Sequence, residues 1–281
     1  MEVSVIIVAL NAADYITKCV ESVLCQTGVL CEAIVVDNGS TDGTLAKLKD
    51  LNCKVFASDK NLGFGPGNNK GFSMSSGRYI YLLNADAWLM ERDGLARLCQ
   101  KMDAEPKWGM AGTKVLSLDG TIQCLPELQY PAQRHVHRDF SKLPGKIAWI
   151  LGASMFVRRE VYEKLGGFDP DFFPIYSEET DFCLRVRELG YEIGYIPDVQ
   201  VTHVGGSSED KRDLYESSMR KLRGLLKFRQ KHYPQEDCIF LAKRDLRRAR
   251  FRMIWNGLLS RWQAPNSTAW RKYRQYRGIW E

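Results

Sequence analysis

Apolar positions in the first 120 residues fall into two alternating rhythms. VSVIIVAL (3–10) is an unbroken apolar run of strand length. In NAADYITKCVESVLCQTG after it, Ile16, Cys19, Val20, Val23 and Leu24 recur at helical spacing. AIVVD (33–37) predicts a second buried strand, GTLAKLKDL (43–51) a short helix and KVFAS (54–58) a third strand. YIYLLNAD (79–86) continues as a fourth, a helix is expected near 91–103, and GMAGTKVL (109–116) follows as another strand. Strands that are apolar throughout must be covered on both faces. The alternation therefore predicts an α/β fold with a mostly parallel central sheet and flanking helices on both sides. No internal repeat or low-complexity linker interrupts it before residue 207.

The C-terminal pattern is of another kind. In KRDLRRARFRMIWNGLLSRW (243–262), Phe251, Ile254, Trp255, Leu258, Leu259 and Trp262 share one helical face, while Arg244, Arg247, Arg248, Arg252 and Arg261 crowd elsewhere. Such a basic amphipathic helical extension can lie in the interface of an anionic bilayer, where each basic residue adds about 1 kcal/mol. The same stripe could instead pack on the domain or on a second copy of the chain, as a homo-oligomer. No nucleic acid is expected as a partner, because no recognition fold accompanies the basic residues.

Composition sharpens this division. The 281 residues are 44% hydrophobic, enough for one large α/β domain with an appendage. The net charge of +6 conceals an asymmetry: residues 211–281 carry +13 and residues 1–210 carry −7, so the two regions are expected to have different jobs. Eight cysteines form no C-x-x-C pair, and no secretory apolar region precedes the first strand. Reduced thiols and a cytoplasmic location are expected. No run approaches the roughly 18 apolar residues that span a bilayer. Membrane contact is therefore expected to be peripheral, on the inner face of the cytoplasmic membrane.

In open parallel sheets, ligands sit beyond the carboxyl ends of the strands. Asp37 in VVDNGSTDGT and Asp86 in LLNADAW both fall at such ends. Asn38, Gly39 and Ser40 would let a ligand approach the backbone, although Ser40 or Thr41 with Asp42 could equally cap the next helix. The loop DKNLGFGPGNNKG (59–71) holds four glycines with Asn61, Asn68 and Asn69 and can cradle phosphate through its amides. It matches neither the P-loop nor the dinucleotide fingerprint. Asp86, between Ala85 and Ala87, could hold Mg²⁺ or Mn²⁺ against a diphosphate, or could be a turn residue. The segment 125–146 has three prolines, His135 and His137, and little periodicity. It is read as a lid or acceptor-binding element with exposed histidines, since no further ligand completes a metal site.

VSVIIVALN, VVDNGSTDGT, NLGFGPGNNKG, LLNADAW, LGASMFVRREVYEKLGGFDPDFFPIYSEETDFCLRVRELGY and VTHVGG occur in this order. Together they resemble the family 2 glycosyltransferases, which have the GT-A fold, over about residues 3–206. Within that family the chain looks most like rhamnosyltransferase-like bacterial members that build cell-surface polysaccharide and lipopolysaccharide. The resemblance implies a GT-A catalytic domain at 1–206. Its nucleotide-sugar-binding half would be 1–116 and its acceptor and catalytic-base half 117–206, with the basic extension at 207–281.

Residue by residue, the resemblance implies that Ala9 and Asn11 touch the nucleotide and that Asp37 accepts a hydrogen bond from a pyrimidine imide. Asn61, Gly63 and Asn69 would line the donor pocket. Asp86 matches the last acid of the family's D-x-D metal motif, with Asn84 where the first acid often stands, and His203 is the implied partner ligand for Mg²⁺ or Mn²⁺. Ser177 can cap a helix that buries Phe182, Val186 and Leu189, leaving Glu178, Glu179 and Asp181 in its first turn. By composition these are ordinary N-terminal acids. The resemblance makes Glu179 the catalytic base, with Glu178 and Asp181 as orienting or alternative groups.

The implied activity is inverting, metal-dependent transfer of a sugar from dTDP-rhamnose or a UDP-hexose to a glycan or lipid-linked saccharide acceptor. A nucleotidyltransferase would need a basic residue on a triphosphate, and the glycine-rich stretch NLGFGPGNNKG (61–71) offers only Lys70. The acidic pair argues against a non-catalytic nucleotide-sugar-binding protein.

Overall fold

Val3–Ala9 forms β1, the middle of a parallel block in the computed structural model, which describes residues 1–206 and 214–258. The expected alternation follows as α1 (Ile16–Leu24), β2 (Cys31–Asp37), α2 (Thr44–Leu48), β3 (Lys54–Ala57), α3 (Phe64–Phe72) and β4 (Tyr79–Asn84). After these come β5 (Ala87–Leu89), α4 (Gly94–Ala104), β6 (Trp108–Leu116) and β7 (Ile122–Cys124). Next are β8 (Ser154–Arg158), α5 (Arg159–Leu165), α6 (Glu178–Glu188) and β9 (Glu192–His203), followed by α7 (Leu214–His232) and α8 (Gln235–Leu258).

The sheet runs β3-β2-β1-β4-β8-β6-β9-β5, with β7 added to β6. It is parallel where the sequence rhythm marked βαβ units, from β3 to β4. Beyond β4 it is mixed: β8 is antiparallel to β4 and β6, β9 is parallel to β6, and β5 is antiparallel to β9. β8 is reached through a long irregular connection that carries no apolar rhythm, so the pattern of positions held no information on its direction.

Alternate residues of β1 face two separate cores. Val3, Val5, Ile7 and Ala9 pack with Ile16, Val20 and Val23 of α1 and Leu95, Leu98 and Met102 of α4. Ile6 on the other face joins Ile80 and Leu82 against Val161, Tyr162, Phe168, Phe182 and Val186. Each fully buried aliphatic side chain contributes about 1.5–3 kcal/mol, which drives the layered arrangement.

The glycine-rich segment corrects an expectation. Phe64–Phe72 is helical, and its glycines serve close packing on β1: a Cβ on Gly67 would stand 2.9 Å from Val8 Cγ1, and one on Gly71 would run into Ile6 Cγ2. Glycine costs a helix about 1 kcal/mol relative to alanine, and the close approach to the sheet explains its use here.

The chain divides into two compact units, Met1–Tyr130 with Ser141–Lys211, and Pro131–Phe140 with Arg212–Glu281. In the second, a buried Arg229–Asp245 ion pair at 2.8 Å joins α7 to α8. Tyr233 donates its hydroxyl to Pro131 O at 2.6 Å, and Asp237 Oδ2 accepts from His137 N at 2.7 Å. His135 and His137 are exposed, and His137 Nδ1 lies 2.6 Å from Asp237. Among the described residues, no helix is long and apolar enough to cross a membrane.

Candidate active site

Register brings the strand-end residues together. β1 sets Ala9 opposite Asp37 and Val8 opposite Asn84, while the antiparallel β5–β9 pair sets Ala87 opposite His203. Asp86, just before β5, thereby meets the end of β9: His203 Nε2 is 3.2 Å from Asp86 Oδ1 and 3.2 Å from Asn84 Nδ2. Val204 N and Gly205 N donate to Asp86 O and Oδ2, each at 3.1 Å, folding the chain after β9 around the carboxylate. Both side chains are nearly buried.

Asp86 and His203 offer a carboxylate oxygen and an imidazole nitrogen, donor types that Mn²⁺ or Mg²⁺ accepts, although among the described residues no group of three or more His, Cys, Asp or Glu could hold an ion. Gln123 Oε1 lies 2.7 Å from His203 Nδ1, and Asn84 Nδ2 lies 3.2 Å from Nε2. Asn84 supplies no anionic oxygen, as its sequence position implied.

Asp37 is fully buried. Its Oδ2 accepts from Ser40 N at 3.0 Å, and among the described residues nothing hydrogen-bonds to Oδ1. The helix-capping alternative is not realised, since α2 has Gly43 at its N-cap and no side-chain cap; Asp42 Oδ1 accepts from Thr44 N at 2.9 Å and Oδ2 from Ala13 N at 3.0 Å. A buried acceptor without a donor costs about 1–3 kcal/mol, and a ligand N–H would satisfy it. Asn38, expected only to let a ligand approach the backbone, resembles it. Its Nδ2 donates to Gly63 O at 3.1 Å, while among the described residues nothing hydrogen-bonds to its buried Oδ1. Its place directly after Asp37 was the available signal.

Other expected donor-site residues have structural duties. The Ala9 side chain is buried in the core, and its carbonyl accepts from Asn38 N at 2.7 Å. Asn11 has φ 51° and accepts from Thr41 N at 2.8 Å, tying the β1 and β2 loops together. Asn61 accepts from Gly63 N at 2.8 Å, and a Cβ on Gly63 would meet Phe173. Asn69 donates to Phe168 O and accepts from Phe168 N and the Tyr162 hydroxyl, all at 2.8 Å, tying α3 to the turn after α5.

The acidic run opens α6. Ser177 makes no side-chain cap, and Leu189 is exposed, correcting both expectations, while Phe182 and Val186 are buried. The entry is strained instead: Tyr176 and Ser177 have φ 93° and 71°, in the left-handed region. Such non-glycine residues cost on the order of 1–3 kcal/mol each and cluster at functional sites.

Glu178 is buried, its Oε2 has no partner among the described residues, and burial followed by the neighbouring Glu179 charge raises its pKa well above the ordinary carboxylate value. Glu179 is half-buried, and burial raises its pKa against the opposing pull of the first-turn amides. Asp181 is fully buried and held by Arg185 Nε at 2.8 Å, which makes it an anchor for the helix.

A turn connects the acids to the strand ends. A Cβ on Gly152 would lie 3.4 Å from Glu179 Cβ, and the adjoining Ala153 O accepts from Asn84 N at 3.1 Å. A titratable carboxyl with a raised pKa thus stands one short turn from Asn84 at the end of β4, two residues before Asp86.

Residues 4–166 match the family described as Glycosyl transferase family 2, and the chain belongs to that family. An uncharacterized glycosyltransferase of Haemophilus influenzae is 38% identical over 212 residues, covering 69% of this chain and 62% of the relative. An N-acetylglucosaminyl-diphospho-decaprenol L-rhamnosyltransferase of Mycobacterium tuberculosis is 24% identical over 237 residues, covering 71% and 75%. The chain spans only 26% and 41% of the length of two further curated relatives, from Sinorhizobium fredii and Rhizobium meliloti. The fold is the α/β GT-A fold. It is similar to that of a Pyrobaculum calidifontis mannosyltransferase solved with GDP-Man and Mn²⁺, at 19% identity and a TM-score of 0.62, covering 99% of this chain and 86% of that one.

Proposed function

We propose that the protein is an inverting, metal-dependent glycosyltransferase that moves a sugar from a nucleoside-diphosphate donor to a saccharide hydroxyl. The observation that carries this reading is the Asp86–His203 pair at 3.2 Å, joined through the Gly152–Ala153 turn to Glu179. Asp37 Oδ1 accepts the imide N–H of the base, with Asn38 beside it. Asp86 and His203 hold Mg²⁺ or Mn²⁺, which when bound offsets the charge of the departing diphosphate.

Glu179 takes the proton of the acceptor hydroxyl as its oxygen bonds to the anomeric carbon, and the bond from that carbon to the diphosphate oxygen breaks on the opposite face. A carboxyl raised by burial is a stronger base than a solvated one and suits this step. Glu178, buried beside it with its pKa raised by burial and by the Glu179 charge, is disfavoured as a second negative charge at the site. Asp181 orients the helix through Arg185.

The donor is dTDP-rhamnose or a UDP-hexose. The imide-accepting Asp37 supports a pyrimidine nucleotide, and the Mycobacterium relative supports rhamnose. The acceptor is a glycan or lipid-linked saccharide in assembly of bacterial cell-surface polysaccharide or lipopolysaccharide, met at an anionic membrane. In support, Phe240, Lys243, Arg247, Phe251 and Ile254 are exposed at spacings that put them on one face of α8. Lys243 and Arg247 thus share the exposed stripe rather than flanking it. Leu259, Arg261 and Trp262 lie outside the described residues, as do the side chains of Arg252, Trp255 and Leu258. Release of nucleoside diphosphate from UDP-, dTDP- and GDP-sugars, with and without Mn²⁺, tests the proposal. No release from any donor under either condition overturns it.

A further inference from the structure

β7 is three residues long, pairs with β6, and contributes no side chain to either buried cluster. Its middle residue nevertheless makes two hydrogen bonds to one partner. Gln123 Nε2 donates to His203 O at 2.9 Å, and Gln123 Oε1 stands 2.7 Å from His203 Nδ1. The first contact fixes the sense of the second. A backbone carbonyl can only accept, so the amide nitrogen must face it. The amide oxygen then faces Nδ1, which must carry a proton to donate. A neutral imidazole protonated at Nδ1 has its lone pair at Nε2, the nitrogen beside Asp86 and Asn84.

Gly205 lets the assembly close. It has φ +78°, a Cβ on it would come within 3.3 Å of Gln123 Nε2, and its N–H holds Asp86 Oδ2. One tight turn thus seats both Gln123 and Asp86.

We infer that Gln123 is a positioning residue that locks His203 in the Nδ1–H tautomer and turns Nε2 toward Asp86, preorganising the pair for a divalent cation. This inference rests on the proposed metal role of Asp86 and His203. Residues that orient a ligating histidine through its other nitrogen typically contribute 10–100-fold in metal affinity.

Nitrogen-15 spectra of the metal-free protein, taken where the histidines are neutral, report the tautomer directly, and Mn²⁺ titration followed by electron paramagnetic resonance reports affinity. The expected result is an Nδ1–H signature for His203 in the wild type that Gln123→Leu loses. Mn²⁺ binding should weaken about 10–100-fold in that variant, with metal-free UDP affinity unchanged. Gln123→Glu keeps an acceptor for Nδ1–H but loses the donor to His203 O, and it should retain the tautomer. An Nε2–H signature in the wild type, or wild-type tautomer and Mn²⁺ affinity in Gln123→Leu, overturns the inference. Wild-type Mn²⁺ affinity in Asp86→Ala overturns the metal reading instead, and the tautomer spectra still decide the role of Gln123.

Discussion

His203 and Asp86 are brought within 3.2 Å of each other by the β5–β9 register, although one follows the fourth strand and the other ends the last strand of the sheet. A one-residue slip in that pairing would send the imidazole to the other face of the sheet. The pair is therefore as precise as the register that makes it.

Asp86→Ala removes the carboxylate and should abolish sugar transfer and Mn²⁺-dependent donor binding while leaving thermal unfolding close to wild type. Calorimetry with Mn²⁺ and a UDP-sugar checks this, and normal metal-dependent binding would make Asp86 a turn residue only.

Glu179→Gln keeps the shape of the side chain and removes its ability to take a proton. Turnover should fall by roughly 10² to 10⁴ with donor affinity little changed. Loss of donor binding as well would point to a disturbed α6 entry and not to a missing base.

The raised pKa of Glu179 sets a pH dependence. A base works only when deprotonated, so kcat/KM should rise with pH through a midpoint above 4.5, the ordinary value, and Glu179→Gln should lose that limb. A midpoint at or below the ordinary value would contradict a desolvated base.

Glu178 has its own linkage with stability. Its pKa is raised in the folded protein, so its contribution is fully present below the unfolded value of 4.5 and is lost as pH rises through the raised folded value. Glu178→Gln cannot ionise and should be more stable than wild type at neutral pH, with a flatter profile in urea unfolding across pH. Equal slopes for the two proteins would show that Glu178 does not carry the effect.

Gly71→Ala tests the α3–β1 contact. Alanine gains about 1 kcal/mol of helix propensity. Its methyl meets Ile6 Cγ2, and overpacking of this kind costs typically about 1–3 kcal/mol. Net destabilisation in urea is expected, and Ile6→Ala in the same chain should recover part of the loss relative to the sum of the two single changes.

The βαβ half was legible in the sequence, because strands buried on both faces must be apolar throughout and helices on them must repeat near 3.6 residues. Asp37 and Asp86 stood out for a related reason, as charges at the ends of apolar strands, whereas the acids of α6 stood out only through the family resemblance, because by composition they are ordinary first-turn acids. The reversal at β8 was not legible, since strand direction depends on how an irregular connection packs. Nor could the sequence separate Asn69, saturated by Phe168 and Tyr162, from Asp37, whose Oδ1 has no partner among the described residues. Hydrogen-bond saturation is a property of the assembled neighbourhood. Gln123 carried no signal, because its role exists only where β7 meets the end of β9. The sequence by itself determined which residues could bear charge at the ends of buried strands, through burial and periodicity. Only the tertiary structure decided which of them face one another, because that depends on register and on which polar atoms the rest of the chain has already satisfied.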